Sequence, residues 1–122
     1  MERTLFVIGA GLGFLSVALG AFAAHGLKGK LAPDMMAVFE TGVRYQMAHA
    51  LAILVVAWAS AHWSSPALRA AGWFFTAGVL LFSGSLYALA LSGIRWLGAI
   101  TPVGGVCFLI GWGCLVWAGW RS

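Results

Sequence analysis

Charge is scarce in this sequence. Only three acidic residues, Glu2, Asp34 and Glu40, occur in a chain of 122, and charged residues together make up 8%. A solvated globular surface carries about three times that proportion, so such a surface is excluded, and so is a ready acidic pair for general acid–base catalysis. The seven Lys and Arg give a formal charge of +4 but stand scattered, with no run of like charges, and no nucleic-acid partner is expected. Cysteine is scarcer still. Cys107 and Cys114 fall on one helical face roughly 10 Å apart, too far for an intrahelical disulfide and too few for a thiolate metal centre, so they read as small packing residues. No nucleophile stands with a base and an orienting group, and no phosphate-binding glycine loop follows a strand. An enzyme is not expected.

What is abundant is apolar sequence. Hydrophobic residues make up 62% of the chain and mean hydropathy is +0.97, values that belong to a bilayer protein. The stretch from Met1 to Ala24 has features of a signal peptide, with Ala21 and Ala23 at a cleavage-like spacing. Its apolar run nevertheless has the roughly 20 residues needed to cross a bilayer, and it reads as a retained first span, 4–24. The expected fold is all-α: one transmembrane domain over 1–122, with spans at 4–24, 45–61, 67–91 and 98–120. An interfacial helix over 35–44, with Met36, Phe39, Val43 and Met47 on one side, is expected between the first and second spans. Four spans put both termini on one side of the membrane, the terminal face, which also holds the turn at His62. Lys and Arg divide three to four between the faces, so the positive-inside rule assigns neither.

The polar side chains are distributed unevenly. Trp63, Trp73, Trp117 and Trp120 form an aromatic belt towards the terminal face. The opposite face, holding the turns after His25 and Ser92, gathers His25, Tyr45, Gln46, His49, Tyr87, Trp96 and Thr101. His25 closes the first span and His49 lies about one turn into the second, so the topology allows the two imidazoles to meet. With further ligands such a pair could hold zinc or copper, or relay protons. The structural alternative is that His25 caps a helix C-terminus while His49 bonds a neighbouring helix. Glu40 and Arg44, four apart in the acid-first order, suggest an ion pair on the interfacial helix, with lipid headgroups as the rival partner of Arg44. Ser83, Ser85 and Tyr87 in the third span lie at the same depth as Thr101 and Pro102 in the fourth. They suit close packing and interhelical hydrogen bonds, or the lining of a polar cavity.

These motifs, GAFAAHGL (20–27), YQMAHAL (45–51), FSGSLY (82–87) and ITPVGG (100–105), in this order and at these separations, resemble the domain of unknown function 423 family. Its members are small bacterial inner-membrane proteins related to the eukaryotic transmembrane protein 256. The resemblance covers essentially the whole chain. It implies a four-helix inner-membrane protein with no established biochemical activity. Residue by residue it falls on Gly20, Ala24, His25, Gly26, Tyr45, Gln46, His49, Ser83, Gly84, Ser85, Tyr87, Thr101, Pro102 and Gly105. His62 lies outside every motif. The family often has a tyrosine just before the second histidine, where this chain has Met47 and Ala48.

The expected function is that of a structural or accessory membrane protein whose cluster of His25, Tyr45, Gln46, His49, Ser83, Ser85, Tyr87 and Thr101 holds the helices and can receive a partner, lipid or small ligand. The alternative is a metal-ion or small-solute binding protein or carrier built on His25 and His49, which with so few spans requires oligomerisation. Expected partners are the lipid bilayer and a second copy or another membrane protein.

Overall fold

The computed structural model describes residues 2–121; Met1, where the signal-like stretch begins, and Ser122 lie outside the described residues. Four helices are long and apolar enough to cross a membrane. The first, α1, runs Glu2–His25 and the second, α2, Pro33–His62. The third span is α3, Pro66–Gly78, continued by a π-helical turn, Val79–Ser83, and by α4, Gly84–Ser92. A 3₁₀ turn, Arg95–Ala99, leads into α5, Thr101–Arg121. Among the described residues there is no strand.

The helix boundaries have local causes. Pro33 stands at the first position of α2, where its missing N–H is not needed, and Asp34 lies in the first turn against the positive end of the helix dipole. Ser65 caps α3 by accepting a hydrogen bond from the Ala67 amide at 3.2 Å, again with proline next. Gly93, at φ 74°, ends α4 in the left-handed conformation that glycine adopts without strain, its amide donating to the Leu89 carbonyl.

The expected interfacial helix is continuous with the second span. No break separates 35–44 from 45–61, because nothing after Pro33 interrupts the helix until Trp63 turns extended at its C-cap. The fourth span-length stretch runs Arg95–Arg121 and contains the expected 98–120, with its first residues in the 3₁₀ turn and α5 itself starting at Thr101.

The four spans do not share burial equally. In the most apolar stretches of α2 and of the third span, 50% and 44% of residues are buried inside the protein, against 17% for the first and for the last span. The two middle spans are therefore the core, and α1 and α5 are outer helices with wide lipid-facing surfaces.

Glycine and phenylalanine set the contact between the third span and α5. A methyl group on Gly111 would lie 2.6 Å from the Phe75 ring, one on Gly78 would overlap Phe108, and one on Gly104 would overlap the backbone of Phe82. Each bulky ring thus occupies the space left by a glycine on the facing helix, or, at Gly104, the two backbones themselves come together. On the other side of the core, Gly9 brings α1 against the Ala50 carbonyl and Leu54, and Leu5 fills the space above Gly72.

Candidate functional site: a polar and aromatic network across the middle of the fold

The π turn is where the site begins. A π turn inserts one residue into the helical phase and is frequent at functional positions. Here it lets neighbouring residues serve different helices. Ser83 faces α2 and donates to the Gly42 carbonyl at 2.7 Å. Phe82 faces α5, packing on Phe108 with ring centroids 5.3 Å apart. Two residues further on, Ser85 joins α4 to the start of α5 through a 2.6 Å hydrogen bond with Thr101. The single proton of Ser85 goes to the Phe82 carbonyl at 2.9 Å, so Thr101 donates to Ser85.

Gln46 sits where three helices meet. It is 3% exposed. Its amide nitrogen donates to the Leu12 carbonyl of α1 at 2.9 Å, and its oxygen accepts the Tyr87 hydroxyl of α4 at 2.6 Å. Ser16 donates to the same Leu12 carbonyl at 2.8 Å. Tyr87 reaches Gln46 because Gly42 leaves room for it: a methyl group on Gly42 would stand 2.8 Å from the tyrosine ring.

His49, one turn further along α2, is buried and committed at both nitrogens. The Trp112 indole N–H donates to Nε2 at 3.1 Å, and Nδ1 lies 2.8 Å from the Tyr45 carbonyl. An indole can only donate and a carbonyl can only accept, so the imidazole is the neutral tautomer carrying its proton on Nδ1. Its ring stacks on Phe108 at 3.6 Å between centroids and 10° between planes. Tyr45 covers the same rings from outside, with Phe82 at 4.6 Å, and remains 43% exposed.

The two histidines are not brought together. Gly9 packs on Ala50 and Leu54, Gly20 on Val43, and Phe22 on Phe39, a register in which the end of α1 lies beyond Phe39. From there to His49 is at least ten helical residues, about 15 Å along α2. His25 is exposed at the end of its helix, while His49 is buried near the middle of α2. The expectation that both return to one face at similar depth fails because α2 starts at Pro33 and stays helical throughout. Among the described residues no three of His, Cys, Asp or Glu gather in a way that could hold a metal.

The remaining expected residues do converge. Gln46, Ser83 and Tyr87 form one group around Gly42, Ser85 and Thr101 a second, and Tyr45 and His49 a third. The groups extend from the loop end to the middle of α2 and α5, further along the helices than a site on the loop face. Sequence reasoning missed Trp112, Gly42 and the Leu12 carbonyl. Trp112 did carry a signal, for it is a tryptophan in the middle of a span, away from the interfacial belts. Glu40 and Arg44 form no ion pair with each other; Arg44 instead donates to the Thr41 hydroxyl at 3.3 Å. Asp34 takes the more distant Arg95, at 3.9 Å on the exposed loop end.

The family described as "Protein of unknown function (DUF423)" matches residues 19–105, a stretch that contains the π turn, Gln46, His49 and the Ser85–Thr101 contact. The chain belongs to this family. Within the DUF423 family, it is similar to UPF0382 membrane protein YwdK of Bacillus subtilis, 48% identical over 111 residues and covering 90% of each chain. It is 47% identical over 114 residues to a UPF0382 membrane protein of Staphylococcus epidermidis, covering 93% of each. A UPF0382 membrane protein of Haemophilus influenzae is 43% identical over 123 residues, covering 100% of this chain and 98% of that one. No solved structure matches. Relatives named as membrane proteins and four span-length apolar helices together make this DUF423 chain an integral membrane protein.

Proposed function

We propose that the protein is a structural or accessory membrane protein, and that its polar cluster serves to hold the helices in a fixed arrangement rather than to bind a ligand. One observation carries this reading: the hydrogen-bonding groups of the cluster's buried side chains are already engaged by other parts of the chain. Gln46 uses both ends of its amide, His49 both ring nitrogens, and Ser83 and Ser85 their hydroxyl protons. A carrier site needs groups that exchange water for cargo, and here such exchange would first break interhelical bonds.

The test compares the purified protein with the His49→Gln variant by elemental analysis and by thermal shifts with zinc and copper. The proposal expects no stoichiometric metal and no metal-dependent shift in either, with a lower Tm in the variant. Near-stoichiometric zinc or copper that disappears in a folded His49→Gln protein would overturn it in favour of metal binding.

A further inference from the structure

The outer surface of α2 differs from those of the two outer helices, α1 and α5. Glu40, Arg44, Ala48, Leu51, Val55 and Trp58 are all exposed and recur at spacings of four, four, three, four and three. At 3.6 residues per turn they fall within about 80° of the helix circumference, a seam of the kind along which two helices pack. α1 has no charged residue between Arg3 and His25, and α5 has none between Thr101 and Arg121. Those faces suit acyl chains alone. The α2 seam carries an acid and a base at its loop-side end, where α1 nears its own end.

Their geometry makes the two charges available. Glu40 and Arg44 are four apart, the spacing at which such residues usually pair along a helix, yet no ion pair joins them and Thr41 draws the guanidinium aside. An acid and a base one turn apart on a single face form a self-complementary set. A two-fold along the membrane normal sets like residues at equal depth, so Glu40 of one copy lies about 6 Å along the axis from Arg44 of the other. These long side chains span that offset as e/g pairs do in parallel coiled coils, and both pairs form reciprocally.

The opposite end of the seam is shaped for the same partner. Trp58, 58% exposed, adjoins an open groove of about 420 Å³ lined by Glu2, Arg3, Phe6, Leu54 and Ala57. A two-fold partner presents its own Trp58 at this depth, and an indole fits the groove. Between the two ends, Ala48 permits close backbone approach.

We infer that the exposed seam of α2 is the interface of a parallel homodimer, fixed in register by reciprocal Glu40–Arg44 pairs. None of these residues belongs to the buried polar cluster, so the inference stands or falls separately from the proposed function.

Disulfide trapping of the full chain in lipid nanodiscs tests it, in a background where Cys107→Ala and Cys114→Ala remove the native thiols. Mild oxidation should crosslink an Ala48→Cys protein to a dimer and leave a Leu109→Cys control, exposed on α5, largely monomeric. Glu40→Lys or Arg44→Glu alone should reduce the Ala48→Cys dimer about tenfold, and the two reversals together should restore it. Restoration ties the loss in the single variants to the charge pair rather than to either residue alone. Crosslinking at position 48 no stronger than at 109 would overturn the inference. So would a double reversal that fails to restore the dimer, a result that points to a lipid phosphate as the partner of Arg44.

Discussion

The Tyr87 hydroxyl donates to the Gln46 side-chain oxygen at 2.6 Å while the nitrogen of the same amide donates to the Leu12 carbonyl at 2.9 Å. One buried side chain therefore ties α1, α2 and α4 together. In a bilayer this linkage has particular value. Lipid is as apolar as leucine, so the helices gain little from hydrophobic burial and associate through close packing and hydrogen bonds. Gln46 supplies the bonds, and the glycines around it supply the close packing.

The glycines of α5 differ sharply in what they permit. Gly104→Ala forces a methyl group onto the Phe82 backbone at the π turn, whereas Gly105 has open space in the direction a Cβ would take. The backbone cannot yield as a side chain can. Gly104→Ala should cost about 3 kcal/mol or more, and Gly105→Ala should change stability little. Thermal unfolding of the two variants in the same detergent checks the contrast.

Trp112 is the only side chain donating to His49 Nε2 among the described residues. Trp112→Phe keeps an aromatic ring against Phe75 and removes the donor, leaving the nitrogen unpaired. Bonds between membrane helices are worth about 0.6 kcal/mol on average and up to about 1.7, and a loss in that range is expected. Trp117→Phe, on a side chain 58% exposed, should leave Tm nearly unchanged and serves as the control.

Thr101 acts at one end of α5. Its hydroxyl meets Ser85 across the gap between α4 and α5, so Thr101→Val should loosen the start of α5 without unfolding the core. Amide hydrogen exchange over residues 95–105 should quicken while exchange in α2 stays as it was. An equal rise throughout would show that the bond is global rather than local.

The spans were legible in the sequence because length and hydropathy decide them. The continuity of α2 was not, since residues 35–44 have the amphipathic pattern of an interfacial helix and only the packing of Phe39 and Gly42 on neighbouring helices shows where they lie. The π turn left no mark in the pattern at all: a one-residue excess has meaning only against partners, here Gly104 on one side and Gly42 on the other. Tyr45, Gln46, His49, Ser83, Ser85, Tyr87 and Thr101 stood out as polar groups within or bordering membrane segments, which usually face a partner. Which partner each has depends on register, and register is also what separates His25 from His49.

A double-mutant cycle on Gln46 and Tyr87 tests the central claim most directly. Unfolding free energies would be measured for the wild type, Gln46→Leu, Tyr87→Phe and the double variant under one set of membrane-mimetic conditions. If the network holds the helices together, each single change destabilises the protein, and the two together cost less than their sum by about 0.6 to 1.7 kcal/mol. Losses that add within about 0.3–0.5 kcal/mol, the behaviour of independent sites, would contradict it.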